Sequence, residues 1–514
     1  MPTPKQIHEK LPYEVISHTF SFLEPTFPLD AGITPFSPEG RGEDASRKAV
    51  QLYEPPITLS LVCKSWRCIV LDSPRLWTFV HIQVKKKPIT KETIDAAKTW
   101  FERSKKLGCH LFLEFPLYVG KSSDQAVVGN MVWNLVQPIA SRLETLVLCI
   151  PAASLSSLQN LSPFRLPRLQ TLAIRFPRDD SSRLGSLSNL PKDAFAHCTS
   201  LRNLELAHPS GLGVLQYVDL PYDPTQPSPN LTMFSYASLR SLKLVDPRMR
   251  AYMMIDILHL ATNLHYCELK VSAPHIGITS ANATGSRSHP NLQVLKICFT
   301  RGHISHFLAA LDTMFGSLNA DLPATLLDFM VRHPLTLKRL EIRGLSGVCA
   351  QDANADTLLD FLRMNEGIET LALDGLQASR DYFVEKLTWR GGGSGQSQQH
   401  TSQLDGRILP RLKNLSLADT RFQDIHHGLL DEVLFEFLHS RWDGLGDATG
   451  ELEDGDPEKA SPARLRKVIL PEHWGILLRS ETFGELIKLK SEGLVLPVPR
   501  FEDDPPESGG DWVI

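Results

Sequence analysis

Residue types able to do chemistry are present, but at spacings that complete no reactive motif. Gly120-Lys121-Ser122 ends like a phosphate loop, yet Phe115 stands where the loop's first glycine belongs. Gly344-Leu345-Ser346-Gly347-Val348 has the serine of a nucleophile elbow without its closing glycine. Gly391-Gly392-Gly393-Ser394-Gly395 sits in a Ser/Gln-rich stretch and reads as linker. His426 and His427 are adjacent and cannot face one metal from a helix, and no HExxH occurs. Cys63 and Cys68 are five apart, about 140° around a helix, which makes no metal clamp. These residues imply no catalytic group, no metal and no cofactor. What remains is side chains that can hold another molecule, so the question becomes which elements position them.

The chain has 514 residues, net charge −4, 42% hydrophobic and 22% charged residues. This is ordinary globular composition for about three domains or one long repeat array. Near-neutral charge leaves no global footprint for nucleic acid or an anionic membrane. No apolar run approaches the roughly 18 residues of a membrane helix, and Met1–Glu14 carries no signal-peptide core. Eight cysteines without a CxxC pair read as reduced thiols, and the expected compartment is cytoplasm or nucleus. Sequons at Asn160, Asn230, Asn282 and Asn414 come without a secretory address.

Residues 5–82 carry helical patterns. In the first, Val15, Ile16, Thr19, Phe20, Phe22 and Leu23 fall in one arc opposite Glu14, Ser17, His18 and Ser21, with Pro12 suited to the first helical position. The second pattern puts Leu59, Val62, Cys63, Trp66, Ile69 and Val70 in one stripe and predicts a single helix over 59–70. Ser73-Pro74-Arg75-Leu76-Trp77 follows as a serine cap with proline at N1. A helical module this small sits at the limit of independent stability. It therefore packs on the rest of the chain or is covered by a partner.

Leu11-Pro12-x-Glu14-x-Ile16…Phe20…Leu23, then Val62-Cys63-Lys64-x-Trp66-Arg67, then Pro74-x-Leu76-Trp77, resembles the F-box. The resemblance implies a short all-α motif that docks on the Skp adaptor and, through it, on cullin and RING subunits. It nominates Leu11, Pro12, Ile16, Phe20, Leu23, Val62, Cys63, Trp66, Leu76 and Trp77 as adaptor contacts. The sequence departs from the compact pattern at 24–56, a Pro/Gly-rich insertion read as a loop. Residues 83–115 read as a connecting helix with apolar positions Ile94, Ala97, Trp100 or Phe101, and Ser104, followed by a first strand at 109–113; this segment is similar to that following the motif in fungal F-box proteins.

From about 116 to 498 the phrase LxxLxL recurs. It starts at Leu143, Leu169, Leu201, Leu239, Leu264, Leu292, Leu337, Ile368, Leu412 and Leu465. Period-2 alternation inside the phrase predicts a strand, and helical stretches such as Ile255–Ala261, Ile304–Leu311, Leu326–Val331, Leu358–Leu362 and Leu429–Leu438 lie between copies. The array resembles leucine-rich repeats, so the expected fold class is α/β: the short helical motif, then an irregular solenoid with a parallel concave sheet. Leucine stacking supplies a continuous core that no single unit could bury. Pro151, Pro177, Pro209 and Pro247 occupy the ninth position in four copies and should end their strands. Segments 390–406 and 444–462 read as disordered insertions, the second acidic through Asp447, Glu451, Glu453, Asp454, Asp456 and Glu458, and 499–514 as an acidic tail. Lys85-Lys86-Lys87-Pro88 reads as a solvated turn.

Positions three, five and seven of the phrase point away from the leucine core. In the middle copies they include Lys243, Tyr266, Lys270, Lys296, Arg339 and Arg343, opposed by Glu268 and Glu341. This predicts a face for an acidic or phosphorylated protein target. Taken together, the resemblance implies a non-catalytic target-recognition subunit of an SCF-type ubiquitin ligase that raises local concentration. The alternative is a repeat scaffold that binds the adaptor or a target without ubiquitylation.

Overall fold

The computed structural model describes residues 13–21, 50–51, 55–84, 91–115, 122–150, 154, 158, 166–175, 195–207, 234–245, 257, 260–271, 291–299, 337–343, 358–359, 362–363, 365–373, 380–388, 408–417, 429–442, 463–469 and 480–495. The readings of most of the 24–56 insertion, of the helices at 304–311 and 326–331, of 390–406, 444–462 and of the acidic tail lie outside them. The chain divides into two units, 1–248 and 249–514.

In the first unit, helices α1 (Tyr13–Ser21), α2 (Pro55–Ser60) and α3 (Lys64–Asp72) precede a 3₁₀ turn at Pro74–Trp77. Strand β1 (Val50–Gln51) lies between α1 and α2 in sequence, and β2 (Phe79–Val84) follows the turn. Then come α4 (Lys91–Arg103), β3 (Cys109–Glu114), α5 (Ser122–Val136), β4 (Leu143–Cys149), β5 (Thr171–Arg175), β6 (Asn203–Ala207) and β7 (Ser241–Val245). Strands β2 to β7 pair parallel in chain order, and β1 pairs antiparallel with β2. The parallel part of the sheet thus begins at Phe79, inside the segment read as helical, and β1 adds an antiparallel edge from the insertion read as a loop. Parallel neighbours need a crossover on one face. α4 supplies one through buried Ala97, Trp100 and Phe101, and α5 another through Val128, Met131, Val132, Leu135 and Val136, an i, i+3, i+4, i+7, i+8 stripe.

The second unit repeats the layout. Strands β8 (Tyr266–Val271), β9 (Val294–Phe299), β10 (Arg339–Arg343), β11 (Thr370–Leu373), β12 (Asn414–Ser416) and β13 (Lys467–Ile469) pair parallel in chain order. Helices α6 (Arg380–Leu387) and α7 (Leu429–Trp442) pack together, and α8 (Ser480–Ser491) follows β13. Gly493, at φ +105°, closes α8: Leu494 N–H reaches Leu489 O and Gly493 N–H reaches Lys490 O, both at 3.0 Å, a Schellman end. Each unit is therefore an α/β array with an open parallel sheet, a solenoid-like arrangement.

Every LxxLxL phrase forms a strand, β4 through β13. The fourth-position side chains sit in register, Leu146, Leu172, Leu204 and Leu242 in one unit and Cys267, Leu295, Leu340, Leu371, Leu415 and Val468 in the other. All ten first-position residues are buried. Strands β4 to β7 stop at residues 149, 175, 207 and 245, two before the ninth-position prolines, as the missing N–H and the restricted pre-proline residue require. Leu166 and Leu409 both open a Leu-Pro-Arg-Leu turn in the left-handed region, φ 33° and 53°, and each accepts the N–H of the phrase's first leucine. A left-handed leucine costs about 1–3 kcal/mol, so its recurrence at the same point marks a device for entering the strand.

Two expectations are corrected by packing. Both faces of β4 and β5 are closed to solvent, with Thr145, Val147, Thr171 and Ala173 buried beside the leucines. Their near-continuous apolar sequences suit a strand covered on both sides, whereas β3 before them and β6 after them alternate between buried and half-buried residues. The single helix over 59–70 is two helices with a break at Leu61–Cys63. Cys63 is extended there, φ −160°, and its Sγ accepts the Trp66 N–H at 3.5 Å, capping α3.

Candidate docking surfaces

The small helices are held by aromatic rings. Ile16 and Phe20, four apart on α1, turn inward and are buried, as are Ile69 and Val70 on α3 and Leu76 and Trp77 in the turn. Phe20 meets Trp66 edge-to-face at 5.1 Å, joining α1 to α3. Trp77 Nε1 donates to Val70 O at 2.8 Å, its ring meets Trp100 of α4 at 4.7 Å, and the Arg103 guanidinium lies 4.5 Å over it. Ser73 does not cap the turn with its side chain; its Oγ donates back to Ile69 O at 2.6 Å.

Of the nominated adaptor residues, Ile16, Phe20, Leu76 and Trp77 thus lie inside the chain, Trp66 is half-buried, and Val62 and Cys63 are exposed. Leu11, Pro12 and Leu23 lie outside the described residues. The exposed apolar surface is built by others as well. Leu61 is 69% exposed and Val62 50%, and Val15, Ile57 and Leu71 are exposed too. These five belong to the nine exposed large hydrophobic residues among those described, all five within α1 to α3 and the α2–α3 turn. Helical phase alone hid Leu61, because the stripe was drawn through an unbroken helix; the break at Cys63 presents Leu61 and Val62 side by side.

The strand face of the second unit carries charge instead. Along the fifth-position row, Glu268 pairs with Lys296 and Lys296 with Glu341 across β8, β9 and β10. Glu341 is sunk, its side chain 5% exposed, and takes Arg339 Nε at 2.6 Å, Lys296 Nζ at 3.4 Å and Arg343 at 3.7 Å. Tyr266 Oη donates to Glu268 at 2.6 Å, and Lys296 Nζ lies 5.9 Å from the tyrosine ring centre. Burial, then that hydrogen bond, pushes the Tyr266 phenol upward, so it stays a protonated donor. Lys270 lies on β8 without a described side chain. Lys243 sits half-buried on β7 of the first unit, where the same face carries the Arg175–Glu205 pair, joined by two hydrogen bonds of 3.0 Å.

Two arginines that sequence reading missed have purely structural surroundings. Arg142 donates to Phe101 O at 3.1 Å and also bonds Lys105 O at the end of α4. Buried Arg441 of α7 bonds Leu409 O at 2.6 Å, Leu387 O at 3.1 Å at the end of α6, and Ile408 O. Each satisfies carbonyls that a helix end or turn leaves open. Burial lowers the Arg441 guanidinium to about 10, still charged at neutral pH.

Burial pushes the Cys149 and Cys198 thiols to about 12 and raises Cys109 and Cys267 as well, so these four are protonated at neutral pH. Among the described residues no three His, Cys, Asp or Glu side chains gather as metal ligands, and no helix is long and apolar enough to cross a membrane. Ser122 opens α5, while Gly120, Lys121, His426, His427 and Gly344–Val348 lie outside the described residues. No family model and no curated protein matches the chain.

Proposed function

We propose that this chain is a target-recognition subunit of an SCF-type ubiquitin ligase, with the F-box-like helices of residues 5–82 docking on the Skp adaptor and the leucine-rich strand array holding the target. The observation that carries this reading is the exposed apolar crest of Val15, Ile57, Leu61, Val62 and Leu71 on helices whose other sides are packed by Phe20, Trp66 and Trp77. Exposed aliphatic side chains gathered on one short helical segment are the material of an interface core. The strand array supports the second half of the reading: a stacked leucine core displays rows of polar side chains from many strands. Such a subunit acts by proximity, raising the effective concentration of target lysines beside the conjugating enzyme to about mM for a suitable span. It needs no residue at the thioester.

The test is co-purification of the Skp adaptor with full-length chain. Leu61→Asp or Val62→Asp should reduce capture by tenfold or more, since a charge in the centre of an apolar interface costs about 2 kcal/mol or more. Ile487→Asp, a change at an exposed apolar residue of α8, should leave capture intact. Equal capture by all three variants would overturn the adaptor assignment.

A further inference from the structure

The charged row on β8 to β10 is built rather than scattered. Lys296 stands in register between Glu268 and Glu341, and Glu341 in turn lies under three cations. The two arginines flank it on its own strand and remain open, with side chains 50% and 62% exposed. A guanidinium offers five N–H donors, and one carboxylate cannot use the forks of two arginines and a lysine together. The Arg343 contact, at 3.7 Å, is longer than a hydrogen bond. Among these groups three cations face two carboxylates, so about one positive charge is left over. Beside this row, β11 and β12 present Ala372 and Ser416 at the same position, an uncharged floor.

We propose that this face is a docking site for a carboxylate-rich peptide segment of the target, with Arg339 and Arg343 taking its side-chain carboxylates on either side of Glu341, which is hydrogen-bonded to Arg339. The proposal rests on the reading of the strand array as the target-holding part and names the chemistry it selects. A carboxylate pairs with an arginine fork through two parallel hydrogen bonds, so two carboxylates spread their charge over the two open arginines. A phosphate dianion would concentrate both charges on one fork beside Glu341. A nucleic acid would need a stacking ring, and the row's one aromatic, Tyr266, is engaged with Glu268 and lies near Lys296.

The experiment is fluorescence anisotropy on full-length protein with a labelled peptide of alternating glutamate and glycine. Binding is expected, weakening as salt is raised, with no binding of the glutamine–glycine control. The Arg339→Gln, Arg343→Gln double variant should bind about tenfold more weakly while keeping a cooperative melting transition. Glu341→Gln keeps an acceptor oxygen, removes a competing charge and should bind severalfold more tightly. An unaffected double variant, a weakened Glu341→Gln, or a phosphoserine–glycine peptide binding more than tenfold tighter than the glutamate peptide would overturn it. Adaptor capture should be the same for all these proteins, so failure here is separable from failure of the crest.

Discussion

The crest on α1 to α3 and the charged row on β8 to β10 are opposite kinds of displayed surface. The crest is apolar, open and underpinned by interlocked rings. The row is ionic, with its acid sunk and its cations outward. Apolar burial supplies affinity that changes little with salt or pH, whereas ion pairs set selectivity and association rate and fade with salt. A protein that keeps one constant partner and chooses a second by chemistry would divide its surfaces this way. The contrast also separates structural from displayed side chains: Trp77 and Leu61 are both apolar and both in the helical segment, yet one is buried and the other 69% exposed.

That separation makes the largest effect easy to locate. Trp77→Ala should cost about 3–5 kcal/mol in urea unfolding, losing ring contacts with Trp100 and the hydrogen bond to Val70. Leu61→Ala should stay within about 0.5 kcal/mol. Similar values for the two would erase the distinction between anchor and crest. A smaller effect lies within the sheet, on β3. Burial lowers the His110 pKa, with Glu144 opposing, and its Nδ1 lies 3.0 Å from Thr145 Oγ1. The unfolded chain therefore binds a proton that the folded chain refuses between the lowered value and about 6.5, the ordinary imidazole value. Stability should fall as pH drops through that window and level off below it, and His110→Gln should flatten that part of a melting-temperature profile. A profile unchanged in the variant would show that His110 is not the source.

The repeat was readable because ten leucine phrases announce strands by period and the prolines two residues beyond β4 to β7 announce their ends. Buried leucines in register need only local pattern plus stacking. Other features rested on single contacts that leave no repeating pattern in the sequence. The cap that breaks the helix at Cys63 rests on one sulfur–amide contact. The sinking of Glu341 depends on Lys296, 45 residues earlier in the chain, and a simple tally of charges put it among the solvent-facing groups. Arg441 is aimed at carbonyls 32 to 54 residues away and carries no local signature. The covered second face of β4 and β5 was visible in the apolar runs LVLC and LAI, but the repeat phrase drew attention to the leucines alone. At the candidate docking surfaces the motif spacing found the module, while the helix break decided which of its apolar residues are displayed.

On the proposed function the crest, and not the strand face, meets the adaptor. Amide hydrogen exchange on the full-length protein, with and without purified Skp adaptor, tests it directly. The expected result is slowed exchange across Pro55–Asp72 on adding the adaptor, with β8 to β10 unchanged. Unaltered exchange over Pro55–Asp72, or slowing confined to β8 to β10, would contradict it.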